Sequence, residues 1–167
     1  LTIIDRKFLS DPASVFDDYN ACLEDFGYAS LDLDVNLGAN RNITANVSAE
    51  FAAALKGDFR FALVITEDNV HGTSSFYDQH NYYSGGANGP MPPFDMLPDP
   101  VPAADMYYDF VARTILGGYT GQENSLPDSI EVNSKHTYTF NYSIPAEYNI
   151  ENLTAIALLI DNQTGQI

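Results

Sequence analysis

The chain has no tryptophan, a single cysteine and only seven lysine or arginine residues in 167. One cysteine cannot pair with itself, so an internal disulfide is excluded. Against seven basic residues stand 23 acidic ones, which gives a net charge of −16. A protein that neutralises nucleic-acid phosphates needs the opposite balance. We therefore expect neither DNA nor RNA as a partner, and we expect the negative field to attract cations or cationic ligands.

Long hydrophobic runs are absent as well. The longest one, residues 155–160, is far shorter than the ~20 apolar residues that cross a bilayer. The chain also opens without a methionine, a basic start or a cleavage signal. We therefore expect an excised or processed piece that does not span a membrane and whose targeting signal lies elsewhere.

Alternation with a period of two predicts most of the fold. Leu31, Leu33, Val35 and Leu37 alternate with polar residues, and a glycine turn then leads into a second alternating run, which indicates a β-hairpin. Residues 59–65 are apolar on both faces, as expected of a central strand. Further strands are predicted at residues 129–132, 137–144 and 153–161.

Two segments complete the predicted architecture. Residues 106–116 fit either a helix or a strand, and their aromatic and β-branched content favours a strand. Apolar residues at three- and four-residue spacing predict an amphipathic helix over residues 12–26. The fold class expected is mainly β: an antiparallel β-sandwich, immunoglobulin-like or jelly-roll-like, with one N-terminal helix and a long proline- and tyrosine-rich loop.

That loop is the main candidate for function. Six of the nine prolines fall in residues 90–102, so a regular strand is excluded there. Loops above ~12–15 residues in a compact domain are usually functional or disordered. The aromatic side chains before the prolines suit protein or carbohydrate recognition, or else they hold an Ω-like loop together. The candidate binding residues are Phe76, Tyr77, His80, Tyr82 and Tyr83.

Metal binding and catalysis have weaker support in the sequence. His71, Asp78 and His80 are zinc-type ligands, but they lack helical spacing and a cysteine partner. Calcium is a candidate cofactor if Asp95, Asp99 and Asp105 gather around it. No serine elbow or glycine-rich phosphate loop leading into a helix is present. We therefore expect a protein that is not an enzyme.

Three stretches carry a family resemblance. They are FRFALVITEDNVHG (residues 59–72), YYDFVAR (residues 107–113) and the closing ALLIDNQTGQI. From about residue 28 to the end, the chain resembles the C-terminal part of the Omp-twenty-eight outer-membrane lipoproteins of Bacteroidetes-type bacteria. Residues 1–27 resemble the last strand and helix of a thioredoxin-like module, so we expect a boundary between residues 1–27 and 28–167.

The resemblance implies a location and a role. It implies a bacterial outer membrane protein, held by a lipid anchor outside this fragment, with a surface role in adhesion or receptor-type binding. The implied partners are host or matrix proteins or glycans. The alternative is an accessory domain that positions clients for an envelope thioredoxin-like oxidoreductase, whose Cys-x-x-Cys is absent here. Within the resembling segment, Arg113 is expected to pair with Asp109.

Overall fold

The computed structural model describes residues 2–4, 8–10, 14–23 and 27–167. This part of the chain is mainly β, with one α-helix, α1 (Val15–Cys22), and antiparallel sheets. Its strands are β1 (Thr2–Ile4), β2 (Phe8–Ser10), β3 (Ala29–Leu37), β4 (Asn42–Phe51), β5 (Leu55–Lys56), β6 (Phe59–Glu67), β7 (Val111–Leu116), β8 (Ser129–Ile130), β9 (Lys135–Ser143) and β10 (Leu153–Asp161).

Two three-stranded antiparallel sheets form the body of the protein, with strand orders β3-β4-β9 and β10-β6-β7. The predicted hairpin is confirmed, since β3 pairs with β4 in unbroken register from Ala29–Phe51 to Leu37–Ile43. The prediction that β6 is central is also confirmed, because it lies between β10 and β7. Short two-stranded ribbons, β1-β2 and β5-β8, complete the pairing in the described part of the chain.

The hydrophobic core draws on both three-stranded sheets. Alternate residues of β4 are buried on one face, while polar side chains on the other face bond across strands, as when Thr139 Oγ1 donates to Asn46 Oδ1 at 2.7 Å. Burying a large apolar side chain stabilises a fold by about 1.5–3 kcal/mol. The core residues from the sheets include Ile43, Val47 and Phe51 of β4, Phe61, Leu63 and Ile65 of β6, Phe140 of β9 and Leu159 of β10.

The segment 106–116 is only partly the strand that was predicted. Strand β7 begins at Val111. The residues before it form no regular strand, because Phe110 has a positive φ of 54° and Tyr108 makes only an isolated bridge to Val70. A positive φ is outside the extended region for a residue with a side chain, so the sheet ladder is interrupted there.

Apolar residues at two places are more exposed than the patterns predict. Strand β3 lies at a sheet edge, and its Leu31, Val35 and Leu37 remain 41–51% exposed while Leu33 packs against the core. Helix α1 has no buried residue. Of the predicted helix 12–26, residues 12, 13 and 24–26 lie outside the described residues. In the described part of the chain, no helix has the length and apolar character to cross a membrane.

Candidate functional site

Residues 68–110 join β6 to β7, and we call them the β6–β7 connection. Its two limbs run antiparallel, since Val70 and Tyr108 exchange two backbone hydrogen bonds of 2.9 Å, and Gln79 and Val101 exchange two more of 3.0 and 2.8 Å. Short 3-10 turns lie between these two bridges, at Ser75–Tyr77 and Ala103–Asp105, and beyond the second bridge, at Ser84–Gly86 and Phe94–Met96. The connection therefore has its own internal structure.

Two aspartates close the start of the connection. The backbone N–H of Phe110 donates to Asp68 Oδ1 at 2.8 Å, and that of Asn69 donates to Asp109 Oδ1 at 2.9 Å. The prediction that Arg113 pairs with Asp109 is therefore wrong, because the Asp109 carboxylate bonds to the backbone of Asn69 across the connection. Arg113 Nε instead donates to Glu67 Oε2 at 2.7 Å.

Tyr77 braces the middle of the connection. Its ring packs on Gly72 so closely that a Cβ there would lie 2.3 Å from a ring carbon. Its carbonyl accepts a hydrogen bond from the Tyr108 hydroxyl at 2.8 Å. Nearby, the His71 ring stacks on Tyr107 with centroids 4.6 Å apart. These rings pack inside the connection. Such packing is the alternative to binding that the sequence left open for the aromatic side chains of the loop.

Asn81 ties the far end together. Its backbone N–H donates to Asp99 Oδ1 at 2.9 Å, and its Nδ2 donates to the carbonyls of Phe94 at 2.7 Å and Leu97 at 3.2 Å. This backbone hydrogen bond lowers the pKa of Asp99, helped by His80, whose Nδ1 lies 3.2 Å from Asp99 Oδ1. One asparagine thus joins the start of this end to residues 94–99, where the backbone has no regular ladder.

An open groove of about 290 Å³ lies beside Asn81, and we call it the distal groove. Tyr82 and Tyr83 line it together with His80, and Tyr82 is 77% exposed. The lining also includes Gln79 and Asn81 and the apolar residues Met91, Phe94, Leu97, Val101 and Met106. Half of the Phe94 side chain remains exposed, so the groove presents apolar surface to solvent.

Three of the five predicted binding residues come together in the distal groove: His80, Tyr82 and Tyr83. Phe76 is 96% exposed but does not line the groove, and Tyr77 is a packing residue. The sequence analysis did not predict the apolar lining residues that lie within the proline-rich residues 90–102. The sequence shows them only as apolar residues between prolines in residues 91–101, and this pattern lacks the period of a helix or a strand.

Most of the candidate metal ligands have other partners, although Asp95 Oδ1 is buried without a hydrogen-bond partner. His71 Nδ1 lies 2.8 Å from the Met106 carbonyl oxygen, and Asp78 accepts from the backbone N–H of Ala103. Asp95 accepts from the N–H of Met91 at 3.3 Å, while Asp99 is bonded to Asn81. Among the described residues no three histidine, cysteine or acidic side chains form a group able to hold a metal, so Asp95, Asp99 and Asp105 do not form the predicted cluster.

The charged residues of the β6–β7 connection have one sign when its histidines are neutral. No lysine or arginine occurs between Arg60 and Arg113. Over the same stretch the chain carries Glu67, Asp68, Asp78, Asp95, Asp99, Asp105 and Asp109. With neutral histidines, the whole connection is therefore anionic, and its field favours cationic ligands.

A second apolar groove lies where strands β3 and β10 meet, and we call it the β3–β10 seam. It has a volume of about 410 Å³ and is lined by side chains such as Val35, Leu37, Ile65 and Leu153. Both strands are edges of their sheets. Nothing in the described part of the chain shows what covers this seam.

Comparison with family models, with curated proteins and with solved structures finds no match to this chain. The resemblance to the Omp-twenty-eight lipoproteins accordingly stays a prediction. The functional argument rests on the geometry of the β6–β7 connection and on its charge.

Proposed function

We propose that this chain is a non-enzymatic binding domain of a lipid-anchored outer-membrane protein, acting in adhesion or receptor-type binding. In this proposal its two three-stranded sheets face each other as a β-sandwich of the immunoglobulin-like or jelly-roll-like kind. The observation that carries the proposal is the distal groove, which exposes aromatic and apolar side chains on an internally bonded loop. Loops held on a rigid scaffold are where proteins commonly place binding residues.

The hydrogen bonds of the connection support a binding role because they reduce its conformational freedom in the unbound protein. Asn81 and Asp99 fix the far end, and the Gln79–Val101 bridge closes it. A surface that is already ordered loses less conformational entropy on association, so more of its contact energy appears as affinity. Tyrosine suits such a surface, since its ring is apolar and its hydroxyl can hydrogen-bond.

Two carboxylates of the connection have structural partners. Asp78 bonds the backbone of Ala103, and Asp68 bonds that of Phe110. A general acid or base has to reach a substrate proton, and these carboxylates are already engaged in holding the backbone. This arrangement supports recognition over catalysis.

Shortening the connection tests the proposal. Val70 and Tyr108 form a doubly hydrogen-bonded pair, which a two-residue Asn-Gly turn can close. We expect a chain with residues 71–107 replaced by that turn to fold but to lose binding to arrays of immobilised matrix proteins and glycans. The parent chain should bind at least one array member.

Two results would overturn the proposal. One is that the shortened chain, shown to be folded by its circular dichroism, binds the same array members as the parent. The other is that the parent binds none of them. The alternative of an accessory domain for a thioredoxin-like oxidoreductase stays a prediction from the resemblance alone.

A further inference from the structure

The geometry points to a partner class for the distal groove: we propose that it takes an apolar side chain presented by a basic polypeptide segment. This inference rests on the proposed binding function and specifies its ligand. It is carried by the size of the groove, by the bonding of its polar groups and by the charge of the surrounding chain.

The size of the groove fits a side chain. Its volume of about 290 Å³ lies at the lower limit of the ~300–1,000 Å³ typical of small-molecule sites. Its lining includes Phe94, Leu97 and Met106, which offer apolar contact. One leucine, phenylalanine or tryptophan side chain inserted there would be removed from water, as anchor residues of protein interfaces are.

Two polar side chains at the distal groove are already bonded within the connection. A glycan needs hydrogen-bonding groups for its hydroxyls, but both the amide nitrogen and the oxygen of the Asn81 side chain are engaged with backbone. Asp99 is bonded to Asn81 and His80. A ligand could use these two groups only by displacing their present partners, which favours an apolar anchor in this part of the groove.

The negative charge of the connection favours basic residues on both sides of the partner's anchor side chain. Asp95 directly follows Phe94, and Asp105 directly precedes Met106, so carboxylates neighbour two groove residues in the chain. No lysine or arginine of residues 61–112 offsets them. Arginine or lysine on either side of the anchor would meet an attractive field, and acidic flanks would be repelled.

Fluorescence anisotropy with synthetic peptides tests this assignment. The probes are labelled peptides with two arginines on each side of a central Phe, Leu or Trp, and matched peptides with a central Ala or with glutamate flanks. We expect the chain to bind the arginine-flanked apolar probes and to bind the Ala-centred and glutamate-flanked probes about tenfold more weakly or worse. Added salt should weaken the binding.

Matched variants locate the site. We expect Phe94→Ala to weaken binding of the best probe about tenfold, and Phe76→Ala, which removes an exposed ring outside the groove, to leave it unchanged. The pair Asp95→Asn and Asp105→Asn should weaken it about threefold. Asp32→Asn with Asp34→Asn, on strand β3, removes the same charge elsewhere and should have little effect.

The outcomes separate this inference from the proposed function. Equal affinity for arginine- and glutamate-flanked probes, or equal loss in the Phe94 and Phe76 variants, would overturn the inference. So would failure of every arginine-flanked probe when the parent chain, but not the shortened one, binds an array member. In that last case the proposed binding function would stand with a different ligand class.

Discussion

At the scale of single residues, Glu67 holds the root of the β6–β7 connection. Its side chain is only 6% exposed, yet both carboxylate oxygens have partners. Oε2 accepts from Arg113 Nε at 2.7 Å, and Oε1 accepts from the backbone N–H of Asn149 at 2.8 Å. The Arg113 guanidinium also lies 4.8 Å from the centre of the Tyr148 ring. A buried carboxylate is tolerated when it is paired in this way.

Removing the cation should therefore be costly. We expect Arg113→Met to lower the free energy of unfolding by about 3 kcal/mol, because it leaves a buried charge without its partner. Adding Glu67→Gln should recover part of that loss, since the remaining side chain is neutral. Urea denaturation of the parent, both single variants and the double variant measures this coupling. Additive effects of the two substitutions would contradict it.

At the scale of elements, alternation predicted the strands and failed where side chains bond to backbone. The alternation of apolar and polar residues between Leu31 and Val47 predicts the pairing of β3 with β4, because it makes one face of the ribbon apolar. The fold of residues 79–101 does not follow from any period, since it depends on Asn81 reaching three carbonyl groups across the loop. A single sequence does not reveal such pairings.

The same bonds make a prediction about the distal part of the connection. We expect Asn81→Ala to speed amide exchange across residues 79–101 about tenfold or more, because carbonyls and an N–H lose their partners together. Exchange in β4 and β6 should not change. Asn88→Ala is the matched control, since Asn88 Nδ2 donates only to the Tyr82 carbonyl among the bonds found. Equal acceleration in both variants would contradict the assigned role of Asn81.

At the scale of the whole molecule, three arginines are used internally. Arg41 donates to the carbonyls of Ile144, Pro145 and Tyr148, and Arg60 pairs with Asp58. With Arg113 also paired, three of the seven basic residues act as internal braces, and the outward field of a chain of net charge −16 is strongly negative. Such a molecule repels its own copies and favours basic partners.

We place the partner at the distal groove, although the β3–β10 seam has the larger volume of these two apolar grooves. The seam is lined by side chains of both sheets. The two grooves therefore offer distinct places for contact, and a measurement of which one is covered decides between them.

Hydrogen–deuterium exchange of the chain, with and without its best-binding array member or arginine-flanked peptide, tests the central claim most directly. The account predicts slower exchange in peptides that cover residues 79–106, with β3 and β10 unchanged. Protection confined to residues 31–37 and 153–156, with the connection unaffected, would contradict it and assign the contact to the β3–β10 seam.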